Sequence, residues 1–210
     1  MLGSGGVVPQ TNLVIDCPLN GTLNNLLNSQ YAVAVGSGAA PTFVTDGGRQ
    51  VYQNTTSGQT NARALEIREN TLVELTLGSY VIEFEFSLNS LTNNQAILAI
   101  TQNHISGVVN MVCVQFYNGG SGSFRFGVDG NTPGSVLTTS GNIALQANIW
   151  YRIRFESHPF AGNVTVNGQT LSYTITGIRT HSGFFVGSRQ NGWWGNPING
   201  KIKDLKMWKI

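Results

Sequence analysis

Two glutamates stand two apart in the stretch Val81-Ile-Glu-Phe-Glu-Phe86. Paired carboxylates do glycoside hydrolysis: one protonates the leaving oxygen and the other attacks the sugar. In retaining enzymes the two carboxyls lie about 5–5.5 Å apart. Here Ile82, Phe84 and Phe86 alternate with Val81, Glu83 and Glu85, which predicts a strand with one buried face. Alternate residues on a strand lie about 6–7 Å apart, because the rise is about 3.3 Å per residue. Glu83 and Glu85 are therefore read as a polar sheet face, and no catalysis is expected. In Trp150-Tyr-Arg-Ile-Arg-Phe-Glu156 the residues Tyr151, Ile153 and Phe155 share one face and Arg152, Arg154 and Glu156 the other. Cross-strand ion pairing of Glu83 and Glu85 with Arg152 and Arg154 is the structural use these acids suggest.

Other chemistry finds less support. His104, His158 and His181 stand alone without zinc spacing. No serine sits in a G-x-S-x-G elbow. Gly195 to Ile202, GNPINGKI, opens like a phosphate loop, but it lacks the final Ser/Thr and its lysine enters a strand rather than a helix. Asp129-Gly-Asn131 and Asp46-Gly-Gly lie in predicted turns and offer oxygens. Calcium wants six to eight such ligands, and the acids are sparse and unclustered. Loop-capping Asx turns are the expected use, and no cofactor is expected beyond this thin set of calcium donors.

The residues with most to offer are aromatic. Gln190 to Gly200 reads QNGWWGNPING, two adjacent tryptophans inside a run of turn formers. Neighbouring side chains of a strand point to opposite faces, so Trp193 and Trp194 cannot both enter one core. One can pack over the end of a sandwich, on Phe184 or Met207. The other is then exposed, with Arg189, Asn191 and Asn196 beside it to bond sugar hydroxyls. The same description fits a contact with a neighbouring subunit or two tryptophans plugging the sandwich end. Tyr117-Asn118, in FYNGGSGS, forms a second aromatic loop.

The elements that must position these residues are strands. Short apolar or alternating runs recur, bounded by Gly, Asn, Ser or Pro. They predict strands at 13–19, 50–52, 64–67, 72–77, 80–88, 96–101, 109–117, 123–128, 149–157, 163–166, 170–176, 183–187 and 201–208. Residues 22–28 are expected to make one helical turn at most. Asn167-Gly168 between two strands is a type I′ hairpin signal. In the last run Ile202 and Leu205 are three apart, which flips the face unless one residue is inserted, so a bulge is expected at Lys203-Asp204.

The chain has 210 residues, 40% of them hydrophobic, enough for one domain with an ordinary core. Charged residues make up only 10%, against about a quarter in ordinary proteins. A polar but weakly charged surface suits a subunit of an assembly, or a protein that meets neutral sugars. The net charge is +2, and all four lysines (Lys201, Lys203, Lys206, Lys209) lie in the last ten residues. They read as edge-strand lysines that discourage aggregation; with no wider basic face, no nucleic-acid partner is expected. Cys17 and Cys113 lie in apolar runs and are expected as buried free thiols, with a single disulfide as the alternative, since two cysteines in a chain this long are no disulfide framework. No apolar run is long enough to cross a membrane. The start shows no signal-peptide pattern, so the three Asn-x-Thr matches at Asn20, Asn54 and Asn163 are read as chance. Residues 1–11, rich in glycine, are expected as a flexible arm, and 12–210 as one domain.

Five stretches in order resemble the concanavalin A-like lectin/glucanase superfamily, in its laminin-G-like and pentraxin-like branch: LVIDCPLNGT, ALEI with YVIEFEFSLNSL, NIWYRIRFES, NVTVNGQT, and FFVGSRQ followed by INGKIKDLKMW. The resemblance runs from Leu13 to Trp208. It implies an all-β, two-sheet antiparallel jelly-roll sandwich with one concave sheet and with the first and last strands as neighbours. It also implies carbohydrate or protein binding through rim loops or the concave face, with calcium in many members. The superfamily's glucan-cleaving enzymes carry three acids in a pattern like E-x-D-x-x-E. After Glu83 and Glu85 the next residue on that face is Ser87, so the third acid is missing. Such domains also occur in bacteriophage virions, a setting that the weak charge and Gly-Ser arm resemble. The expectation is thus a non-enzymatic structural or decorating protein on the surface of a phage particle. Its partners are neighbouring virion subunits or its own copies in a homo-oligomer, and a polysaccharide it adheres to, with no nucleic acid and no membrane. The alternatives are an extracellular carbohydrate-binding module and, further off, a glucanase-like hydrolase.

Overall fold

The computed structural model describes residues 12–35, 40–54, 65–69, 79–91, 95–101, 111–117, 123–129, 143–158, 161–174, 183–187 and 196–210. Among these residues there are sixteen strands and no α-helix: β1 (Leu13–Cys17), β2 (Tyr31–Val35), β3 (Phe43–Asp46), β4 (Arg49–Asn54), β5 (Leu65–Glu69), β6 (Tyr80–Leu88), β7 (Gln95–Thr101), β8 (Met111–Tyr117), β9 (Ser123–Asp129), β10 (Ile143–Ala144), β11 (Tyr151–Ser157), β12 (Ala161–Val166), β13 (Gln169–Thr174), β14 (Gly183–Val186), β15 (Asn196–Pro197) and β16 (Gly200–Lys209). They form two eight-stranded sheets. Sheet A runs β13-β12-β11-β6-β16-β4-β3, with β1 also on β16; sheet B runs β10-β9-β8-β7-β14-β5-β2, with β15 also on β7. All pairings are antiparallel except the short β15–β7 contact. The fold is the two-sheet jelly-roll sandwich expected of the sequence.

Alternation builds the core as the pattern demands. Ile82, Phe84 and Phe86 of β6 and Ile153 and Phe155 of β11 are buried between the sheets against Ile67, Ile97, Leu98, Phe184 and Val186 of sheet B. Tyr80 meets Phe184 edge-on across the sandwich, with ring centroids 5.3 Å apart, a favoured geometry for two aromatic quadrupoles. The Asn167-Gly168 turn has φ of 45° and 84°, the two left-handed residues that a type I′ hairpin requires.

The expected bulge is present. The β16–β6 register shifts between Lys203 and Lys206, and Asp204 adopts φ 55°. Its place has a physical reason. On its other side β16 pairs with β4 through residues 200–202 and with β1 through residues 205–208, so the extra residue lies where one partner strand gives way to the next. There the Asp204 amide donates to the Pro18 carbonyl (3.2 Å), and Arg49 donates to both Asp204 carboxylate oxygens and to the Pro18 carbonyl. The first and last strands are neighbours, as the resemblance implied.

One expectation needs correction, and some elements were not foreseen. The terminal lysines are not on an edge: β16 is paired on both sides. Lys201, Lys203 and Lys206 reach Asp46, Glu85 and Asp16, their stems lying over the outer face with the ammonium groups at acids on neighbouring strands. Residues 22–28 make bends and irregular backbone without a helical turn, within the one turn at most that was expected. The Asn25 side chain takes the place of a strand there: its Oδ1 accepts the Asp16 and Leu27 amides, and its Nδ2 donates to the Val14 and Tyr31 carbonyls. Finally, β2, β3, β10 and β15 were not expected. In β2, YAVAV, alanine is a weak strand former, although its burial alternates cleanly. The hairpin joining β3 to β4 turns on Gly47 and Gly48, both at positive φ, a glycine pair whose turn signal was legible. The strand expected at 72–77 and the arm at 1–11 lie outside the described residues.

Candidate functional site

The acid pair is fully engaged. In the β6–β11 register Glu83 faces Arg154, and Glu85 faces Arg152. The side chains choose differently: Glu83 accepts from both Arg152 and Arg154, at 2.5 Å each, and Glu85 pairs with Lys203 of β16 at 2.9 Å. Arg154 also bonds Glu156. Glu83 is buried. Burial alone would raise its carboxyl, but the bonds and charges of the two arginines outweigh it and hold the group below its ordinary range. Such an acid stays ionised and does not serve as a proton donor at neutral pH.

Trp193, Trp194, Arg189, Asn191 and Asn118 lie outside the described residues. The structure does place the strand ends from which their segments leave. Gln95, the first residue of β7, pairs with Phe116 of β8 on one side and Asn196 of β15 on the other. Tyr117 is the next residue of β8 and its last. Adjacent strands lie about 4.8 Å apart, so the backbones carrying Tyr117 and Asn196 are about 10 Å apart, on one rim of sheet B. The tryptophan segment thus rejoins the sheet at Asn196, and the segment after Tyr117 leaves it, on either side of one residue. Phe184 and Met207, expected beneath a tryptophan, belong to the core between the sheets.

The return of the tryptophan segment is held firmly. Between Pro197 and Gly200 the chain crosses from sheet B to sheet A. The Ile198 amide donates to the Gly187 carbonyl (2.9 Å), and the Gly187 amide donates to the Ile97 carbonyl (2.8 Å). The Asn199 amide donates to the Gln95 Oε1 (2.8 Å), while the Asn199 carbonyl accepts the Asn89 amide. The Asn89 side chain donates to the Asn199 side-chain oxygen. Two glycines are required here. A Cβ at Gly200 would lie 2.1 Å from the Ser87 carbonyl oxygen. At Gly187, with φ +84°, it would lie 2.9 Å from Ile202 Cδ1.

Trp150 was missed as a candidate. It lies just ahead of β11, and the Lys203 ammonium of sheet A lies 4.1 Å from its ring centroid, a cation–π contact. Its indole also hydrogen-bonds Asp46, which Lys201 engages at 2.9 Å, and these partners lower the Asp46 carboxyl, the Lys201 bond most of all. The signal was the run Ile149-Trp150-Tyr151, in which an inward Tyr151 sends Trp150 outward. Asp46, one of the oxygens offered to calcium, is thereby committed to Lys201 and Trp150. Among the described residues no three His, Cys, Asp or Glu side chains gather as a metal site would require. Asp129 closes β9, and Asn131 lies outside the described residues.

No family model and no curated protein sequence matches the chain. Solved structures share its fold. Domain 4 of AbnA, a GH43 extracellular arabinanase from Geobacillus stearothermophilus, in complex with arabinotriose, is similar over 94% of this chain and 92% of that one, at 14% identity and a TM-score of 0.64. A family 7 alginate lyase, A1-II′, in complex with product, is similar over 80% and 83%, at 17% identity and a TM-score of 0.57. A sialidase of Trypanosoma rangeli covers 99% of this chain at 12% identity and a TM-score of 0.67, but only 32% of the sialidase is involved. At these identities the likeness is one of fold. That shared fold is a two-sheet antiparallel β-sandwich.

Proposed function

We propose that the chain is a non-enzymatic carbohydrate-binding module whose site is the rim carrying the Trp193-Trp194 and Tyr117-Asn118 segments. One observation carries this reading: the chain rejoins the sheet after the tryptophans at Asn196 and leaves it at Tyr117, on either side of Gln95. In this reading the aromatic residues of the two segments supply stacking platforms for a sugar's apolar faces, and Arg189, Asn191, Asn196 and Asn118 supply hydrogen bonds to its hydroxyls. The whole-length likeness to a domain solved with arabinotriose is in keeping with it. The absence of catalysis is proposed because Glu83 is taken by two arginines and Glu85 by Lys203. The narrower affinity with the laminin-G-like branch rests on the five motif stretches.

The test is a glycan and bacterial-polysaccharide binding screen of wild type beside Trp193→Ala and Trp194→Ala, with and without calcium. Saturable binding lost in one variant is expected. No binding by wild type, with both variants folded, would sink the lectin reading. No release of reducing ends is expected from any glycan bound; release that Glu83→Gln abolishes would instead make the protein a hydrolase.

A second reading has its own observation. Among the described side chains the acids Asp16, Asp46, Glu66, Glu83, Glu85, Glu156 and Asp204 are all ion-paired. With the charges cancelled locally, little long-range repulsion keeps copies apart. This suits a decorating subunit on the surface of a phage particle. A homo-oligomer by light scattering that binds no glycan would favour it; a monomer that binds glycan would dismiss it.

A further inference from the structure

Gln95 stands at the meeting point of every element at this rim. It is 2% exposed. Its backbone joins β8 to β15. Its side chain uses both ends: Nε2 donates to the Ser90 carbonyl (2.7 Å), just after β6, and Oε1 accepts the Asn199 amide (2.8 Å), where the chain crosses between sheets. The amide therefore ties together the end of a sheet A strand, the start of a sheet B strand and the return of the tryptophan segment. Only a primary amide of this length supplies a donor and an acceptor in opposite directions. Alanine would leave the part-buried Asn199 amide without its acceptor, and a carboxylate would present a second oxygen to the Ser90 carbonyl.

We propose that Gln95 is the positioning residue of the binding rim: it touches no ligand, its side chain fixes the Asn199 crossing against Ser90, and its backbone carries the Tyr117 and Asn196 strand ends on either side. The proposal rests on the carbohydrate-binding reading for its purpose, but not for its test. Sites bind well when their supporting hydrogen bonds lock the geometry beforehand.

The experiment uses the full chain, labelled for amide NMR, as wild type, Gln95→Ala and Gln95→Glu. Without any ligand, Gln95→Ala is expected to speed hydrogen exchange at the Asn199 amide at least tenfold. It should also move the Tyr117 and Asn196 amide signals, while those of Ile82 and Phe155 in the core stay in place. In Gln95→Glu the Asn199 amide keeps its acceptor and its exchange is expected to stay near that of wild type, while the Tyr117 and Asn196 signals are expected to move near neutral pH and to return as pH falls, because the protonated carboxyl regains a donor for the Ser90 carbonyl. A residue that merely filled space would give no such pH profile. For the glycan found in the screen, about tenfold weaker binding is expected in Gln95→Ala, and the pH-dependent recovery in Gln95→Glu. Unchanged Asn199 exchange in Gln95→Ala and unmoved Tyr117 and Asn196 signals in both variants would overturn the proposal. Should Gln95→Ala fail to fold, the pH profile of Gln95→Glu decides alone. Should wild type bind no glycan, the carbohydrate reading falls while the ligand-free spectra still decide what Gln95 positions.

Discussion

Glu83 on β6 and Arg154 on β11 face each other across the sheet, and their side chains meet at 2.5 Å, with Arg152 closing on the other carboxylate oxygen. The acid is buried while Arg152 is 68% exposed and Arg154 25%, so one arginine reaches solvent and the other is largely enclosed.

Removing the charge at Glu83 leaves Arg154 short of a partner. Glu83→Gln is expected to cost about 2 kcal/mol, as for hydrogen bonds to charged groups, with the Arg152 share discounted for its exposure. The sign with pH follows from the depressed carboxyl. Its contribution is complete above the unfolded-state range near pH 4.5 and is lost as pH falls through the lower native value. Melting curves of wild type and variant are therefore expected to differ at pH 7 and to converge in strong acid. Equal differences at every pH would show that packing, not charge, holds this pair.

Gly200 carries a steric demand that no rotamer can relieve, because the atom in the way is backbone. Gly200→Ala is expected to cost about 3 kcal/mol or more, read as a lowered unfolding midpoint or as insoluble protein. A variant as stable as wild type would mean that the crossing from β15 to β16 does not run as close to Ser87 as described.

The Arg49 fork closes the junction of β1, β4 and β16. Lysine offers a point charge and cannot bond both Asp204 oxygens and the Pro18 carbonyl in one plane. Both side chains are more than a third exposed, so Arg49→Lys is expected to cost only about 0.5–1 kcal/mol. Urea unfolding measures this, and high salt should narrow the difference.

Cys17 is fully buried, and burial pushes its thiol up to about 11. The raised value favours the protonated native state below about pH 9, and that contribution is lost as pH rises toward 11. In a Cys113→Ser background the native protein is expected to give no thiol reaction with a disulfide reagent at pH 8, and one thiol after unfolding in guanidinium. Rapid native reaction would place Cys17 at the surface.

Much of this architecture was legible along the chain, and the reasons are particular. Alternation in VIEFEF and RIRFE named the buried faces because strand side chains alternate strictly. Asn167-Gly168 named a turn because few residue pairs accept two positive φ values. The three-residue step from Ile202 to Leu205 named a bulge because nothing else keeps both residues inside. Trp150 was overlooked because its role depends on Lys203 and Asp46, residues far away in the chain. Gln95 carried no signal at all: one glutamine beginning an apolar run looks like a strand boundary, and its worth comes from Ser90, Asn199 and Asn196 gathering round it.

The sequence by itself determined the fold class, the inward faces, the hairpin turn and the bulge, because each follows from the period of the backbone and the conformations single residues tolerate. Only the tertiary structure decided that β16 is a central strand, that Glu83 takes two arginines while Glu85 takes a lysine, and that Tyr117 and Asn196 flank one buried amide. These are choices among partners distant in the chain. They are settled by which strands pair and in what register, and no local pattern of residue types encodes that.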